Sequence, residues 1–127
     1  MRILFTGGGT GGHFYPILSI AEELNALVKE KRLLNLELFY MAPTPYNPGA
    51  LYEAGMIYKK NSAGKIRRSP GVLSLFQNFF DLFRTAWGVV VSIFQVYQIY
   101  PDVVFGKGGY ASFPALLAAR ILRIPVV

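Results

Sequence analysis

The chemistry of this sequence is concentrated in Gly7-Gly8-Gly9-Thr10-Gly11-Gly12-His13, where five glycines run into the chain's single histidine. Glycine lets a backbone turn tightly and approach a ligand closely. Where such a turn opens a helix, the free amides and the helix dipole attract phosphate or diphosphate. Gly7, Gly9 and Gly12 match G-x-G-x-x-G, but a dinucleotide site also needs an acidic residue at the end of the second strand. That strand ends Tyr40-Met41-Ala42, and its only acid, Glu37, lies near its start. A Walker A loop needs Lys and then Ser or Thr after the last glycine, where this chain has His13-Phe14. Nicotinamide and nucleotide-hydrolysing sites are therefore disfavoured.

A second motif repeats the design. Lys107-Gly108-Gly109-Tyr110 is followed by Ser112-Phe113-Pro114, so a strand, paired glycines and a Pro-marked helix start recur. In a doubly wound sheet ordered 3-2-1-4-5, the loops after strands 1 and 4 flank the crevice where ligands bind. Both glycine motifs fall on those loops, and two anion-seeking helix starts at one crevice suggest a diphosphate. His13 is the one histidine there, the residue type best suited to exchange a proton near neutral pH. It is either a general base toward a hydroxyl nucleophile or a hydrogen-bonding residue for phosphate or sugar.

The elements that must position these loops alternate between strand and helix. Arg2–Thr6, Leu36–Met41, Ile57–Lys60, Val103–Gly106 and Ile124–Val127 read as strands. Tyr15–Lys31, with Pro16 in its first turn, a short turn at Ala50–Ala54, Val72–Ile99 and Phe113–Leu122 read as helices. The expectation is α/β: a Rossmann-like, doubly wound parallel sheet. At 127 residues and 53% hydrophobic composition the chain makes one domain with a sizeable core, and global disorder is excluded. With no Cys and one His, disulfide frameworks, thiolate metal sites and multi-histidine metal sites are excluded too. No signal peptide opens the chain, since Met1–Phe5 runs straight into glycines. The closing Ile-Pro-Val-Val suits a buried strand, so a longer protein is expected.

Net charge is +6, which favours an anionic partner. Lys59, Lys60, Lys65, Arg67 and Arg68 precede the apolar Val72–Ile99 stretch, about 42 Å long as one helix. Its small and polar positions, Ser74, Gln77/Asn78, Asp81, Arg84/Thr85, Gly88, Ser92, Gln95 and Gln98, trace a narrow stripe. Phe76, Phe79, Phe80, Phe83 and Trp87 belong to a wide apolar arc, part of which should pack on the sheet. The longest uncharged run, Thr85–Tyr100, is shorter than the ~20 residues of a span. Aromatic residues left facing outward beside Lys65, Arg67 and Arg68 instead suit contact with an anionic membrane surface. No nucleic-acid signature accompanies the charge.

Gly8-Gly9-Thr10-Gly11-Gly12-His13 with Pro16, Asp102-Val103-Val104 through Ser112, and Ile124–Val127 together resemble the N-terminal domain of MurG-type glycosyltransferases. These are the UDP-N-acetylglucosamine:N-acetylmuramyl-(pentapeptide) pyrophosphoryl-undecaprenol N-acetylglucosamine transferases of peptidoglycan synthesis. The resemblance covers essentially the whole chain. It implies the N-terminal, acceptor-binding and membrane-associating half of a GT-B enzyme on the cytoplasmic face of the cell membrane, with residues 1–127 lacking the C-terminal donor domain. It implies transfer of N-acetylglucosamine from UDP-N-acetylglucosamine to an undecaprenyl-diphosphate-linked acceptor, with inversion and with neither cofactor nor catalytic metal. By the same resemblance Thr10, Gly11 and Gly12 contact the donor, His13 sits at the reacting centre, and both glycine loops, the second with Gly108, Gly109 and Tyr110, hold the acceptor diphosphate. The Pro-rich loop Ala42–Gly49 departs from the charged loop usual in that family. The rival readings are a non-catalytic membrane-docking subunit paired with a separate donor-binding chain, and an NAD-binding domain.

Overall fold

The computed structural model describes residues 1–7, 11–31, 36–61, 72–108 and 112–127, and for residues 11 and 72–74 the helical backbone only. Four parallel strands, β1 (Arg2–Thr6), β2 (Glu37–Ala42), β3 (Met56–Lys60) and β4 (Val103–Gly106), lie in the order β3-β2-β1-β4. Central strand β1 pairs on both sides, Thr6 lying level with Met41 and with Gly106. Beyond β4 the chain returns, and Val126 bridges Val104 in parallel. The fifth strand expected at Ile124–Val127 is thus present as one bridge flanked by ladder bonds, from Val104 N–H to Pro125 O (2.9 Å) and from Gly106 N–H to Val127 O (3.0 Å).

Alternating side chains divide the sheet between two apolar layers. Ile3, Phe5, Leu38 and Tyr40 join Phe14, Ile17 and Ala21 of α1 (Gly11–Lys31), with Leu51 of α2 (Pro48–Glu53). Leu4, Phe39, Met41 and Val104 face the other way. They meet Val96 and Ile99 of α3 (Val72–Ile99), with Ala115, Ala118 and Ala119 of α4 (Phe113–Ile121). Each fully buried Leu, Ile or Phe in these layers contributes about 1.5–3 kcal/mol of transfer free energy. Arg2 fastens the edge: its guanidinium donates to the Ile99 carbonyl (2.8 Å) at the end of α3 and pairs with Glu37 (3.1 Å).

Three expectations change. Helix α1 starts at Gly11, so Gly11, Gly12 and His13 form its first turn and Pro16 lies inside it. Pro16 has no N–H, so it removes the donor that would otherwise reach the Gly12 carbonyl. In α3 the inward face is part of the small and polar stripe: Asp81, Gly88 and Ser92 are buried in line with Val96 and Ile99, while Gln77, Arg84 and Gln98 of the stripe are exposed. Small residues win this face because α3 packs on α4, whose inward residues are alanines, and close approach leaves no room for Phe or Trp. Most of the apolar arc therefore points away from the sheet. Contrary to the sequence expectation, Leu75–Ile99 is long and apolar enough to cross a membrane by length and composition, while the buried stripe packs the helix on α4.

Candidate functional site

The carboxyl ends of β1 and β4 lie side by side, and both glycine motifs leave from there. Gly7 follows β1 and is buried. A Cβ placed on it would come within 3.1 Å of both Ile17 Cδ1 and Lys107 Cβ, so no larger residue fits without displacement. Lys107 N–H donates to the Thr6 carbonyl at 3.0 Å, which ties the start of the second loop to the start of the first. Gly108 has φ +101°, a conformation that glycine adopts without a Cβ clash, and the space beside it is open. The two motifs are thus in contact through Gly7 and Lys107.

Three hydroxyls, two of them buried, hold this edge. Tyr40 on β2 is fully buried and donates to the Gly7 carbonyl at 2.6 Å. The Thr6 hydroxyl donates to the Met41 carbonyl (2.9 Å), and the Tyr58 hydroxyl to the Ala42 carbonyl (2.8 Å). Burial, and secondarily the neighbouring Tyr58, push the Tyr40 phenol up to about 12, so it stays a protonated donor at neutral pH. Burial also raises Tyr58.

Two helix starts face the same edge. Neither α1 nor α4 has an acidic residue in its first turn, so the positive end of each dipole is uncompensated by its own sequence. Gly11 and Gly12 supply the first amides of α1, and His13 follows, half-buried, with Nδ1 buried and without a hydrogen-bond partner among the described residues. A buried, unpartnered ring nitrogen is a group awaiting a donor or acceptor from a ligand or water. Thr10, Gly109 and Tyr110 lie outside the described residues, as do Lys65, Arg67 and Arg68. Phe76, Phe79, Phe80, Phe83 and Trp87 are each 56–66% exposed along α3. They lie on the side of the sheet opposite α1.

A concavity of about 530 Å³ lies between α4 and residues 123–126 and contains none of the candidate residues. The described candidate residues Gly11, Gly12, His13 and Gly108 lie instead at the sheet edge, where the space beside Gly108 is open. No three His, Cys, Asp or Glu side chains gather there or elsewhere among the described residues as a metal-binding group. Sequence reasoning missed Tyr40, for which an aromatic facing the first glycine loop from the next strand was the available signal.

With this geometry in hand, the relationship to known proteins is specific. The family model for the glycosyltransferase family 28 N-terminal domain matches residues 3–127. The chain belongs to that family. Its family 28 relatives include the UDP-N-acetylglucosamine–N-acetylmuramyl-(pentapeptide) pyrophosphoryl-undecaprenol N-acetylglucosamine transferases of Treponema denticola and Symbiobacterium thermophilum. The first is 35% identical over 98% of this chain and the second 37% over 100%. The chain spans 32% of the length of each. In fold it is similar to the crystal structure of Acinetobacter baumannii MurG (TM-score 0.69, 24% identity, 98% of this chain and 32% of that one). It is also similar to the calicheamicin glycosyltransferase CalG4 (TM-score 0.63, 17% identity, 98% of this chain and 31% of that one). The architecture is that of the N-terminal domain of the GT-B fold.

Proposed function

We propose that this chain is the acceptor-binding domain of an inverting transferase that carries N-acetylglucosamine from UDP-N-acetylglucosamine to an undecaprenyl-diphosphate-linked N-acetylmuramoyl-pentapeptide. The observation that carries the reading is the joined pair of glycine motifs, with two uncompensated helix starts at one sheet edge, in a chain whose relatives bear that activity in their names. The amides of Gly11, Gly12, Gly108 and Gly109, with Thr10 and Tyr110, bind diphosphate and the adjoining sugar. In the transfer an acceptor sugar hydroxyl attacks the anomeric carbon of the donor. A C–O bond forms there, the bond to the UDP oxygen breaks, and the hydroxyl proton passes to His13. The donor is held by a second domain, as the greater length of the relatives allows.

The same reading places the domain against the cytoplasmic face of the membrane. The exposed Phe76, Phe79, Phe80, Phe83 and Trp87 enter the interface, and Lys65, Arg67 and Arg68 meet anionic lipid. An NMR titration with a soluble pyrophosphate-linked sugar tests the acceptor site. The Gly11, Gly12, Gly108 and Gly109 amides should shift together, and shifts confined to residues 59–68 would overturn the assignment.

A further inference from the structure

Tyr46 sits at the apex of a γ-turn with φ +56°, closed by a 2.6 Å hydrogen bond from Asn47 N–H to Pro45 O. Positive φ is unfavourable for a tyrosine, and such positions cluster at functional sites. What holds it is aromatic packing. Its ring lies 5.0 Å from that of Phe14, tilted by 37°, and 5.9 Å from that of Tyr15, nearly perpendicular at 89°. Phe14 is fully buried and itself packs edge-on against Tyr40. Even so, Tyr46 is 48% exposed and Tyr15 50%. The turn therefore presents two tyrosines in a rigid corner, at the same sheet edge as the glycine motifs. They lie on the α1 side, away from the exposed aromatics of α3.

Tyrosine pairs of this kind give large, rigid, amphipathic contact area at low entropy cost, which suits them to peptide as a partner. His13 and Tyr15 leave α1 on opposite flanks of Phe14, roughly 200° apart at 3.6 residues per turn. A sugar reacting beside His13 cannot also lie on the tyrosines. A peptide attached to that sugar can, because five extended residues reach about 17 Å and the helix is only about 10–12 Å across. We propose that Tyr15 and Tyr46 form a subsite for the short peptide carried by the acceptor sugar. The phenol rings cover its apolar side chains, and their hydroxyls serve its amides. The assignment rests on the acceptor-domain reading above and adds a determinant of acceptor choice to it.

The test uses N-acetylmuramoyl-pentapeptide, N-acetylmuramic acid without peptide, and inorganic pyrophosphate as separate NMR probes. The peptide-bearing probe should shift the ring resonances of Tyr15 and Tyr46, and the peptide-free sugar should leave them in place. Tyr46→Asn keeps a residue that tolerates positive φ and removes the ring. Binding of the peptide-bearing probe should weaken about tenfold while the urea midpoint stays level or rises. A fall in stability with unchanged binding would show that Tyr46 only packs, and would overturn the subsite. Tyr15→Leu, which keeps the helix, gives the same reading if Tyr46→Asn fails to fold. Equal tyrosine shifts from both sugars, or none from either, would also overturn it. Glycine shifts with pyrophosphate in those cases leave the acceptor reading standing, whereas silent glycines and silent tyrosines remove both.

Discussion

The Tyr40 hydroxyl donates to the carbonyl of Gly7 across 2.6 Å, joining the second strand to the residue from which the first glycine motif departs. Both groups are buried, so the bond has no water to replace it. Removing the hydroxyl leaves a buried carbonyl unsatisfied, at a cost of about 1–3 kcal/mol. Tyr40→Phe should lower the unfolding free energy by that amount, read as a lower urea midpoint at unchanged m, and shift the Gly11 and Gly12 amides. An unchanged midpoint would show that the bond contributes nothing.

The same bond sets an alkaline limit. Because the folded phenol is pushed up to about 12 from 10.0, the unfolded chain loses its proton first as pH rises. Tyr40's contribution is whole below pH ~10 and is lost progressively between ~10 and ~12. Tyr58, raised in the same direction, adds to the loss. Urea midpoints measured at pH 9 and pH 11.5 should differ, and by less in Tyr40→Phe.

Gly7→Ala would insert a methyl 3.1 Å from both Ile17 Cδ1 and Lys107 Cβ. Overpacking of this kind costs about 1–3 kcal/mol. Because one of the two neighbours opens the other glycine motif, the substitution should move the Lys107 and Gly108 amides as well as those of α1. Shifts restricted to α1 would mean that the two motifs are not mechanically joined.

His13→Ala, made in the enzyme completed by its donor domain, should lower turnover by about 10²–10⁴-fold if the imidazole takes the acceptor proton. A loss confined to KM assigns the residue to binding instead. Unchanged kinetics take it out of the site.

The two faces of α3 should respond oppositely. Gly88 is buried, so Gly88→Leu should destabilise the domain by about 1–3 kcal/mol. Phe80 and Phe83 are 66% and 61% exposed, so Phe80→Ser with Phe83→Ser should leave stability within about 0.5 kcal/mol per change yet reduce flotation with liposomes. Reversing Lys65, Arg67 and Arg68 to Glu should release the protein from anionic vesicles, each basic residue being worth ~1 kcal/mol at low salt. Indifference of binding to both sets of changes would remove the membrane contact.

The parallel α/β order was legible in the sequence because strand and helix periods differ and because Gly and Pro punctuate them. Val72–Ile99 was read with the bounds that it has in the fold, and the two glycine motifs were placed on neighbouring strands by the topology that those periods imply. What the one-dimensional pattern lacked was the partner of each face. Hydrophobicity along α3 says that the helix has an apolar arc and a small polar stripe. Only the alanines of α4, which demand close approach, turn that stripe inward and leave Phe76 to Trp87 outside. The Tyr40–Gly7 bond and the Phe14–Tyr15–Tyr46 corner were likewise invisible. Their residues are separated by 31 to 33 positions or sit on a turn of positive φ. Contacts of that range exist only once the sheet has set β2 beside β1.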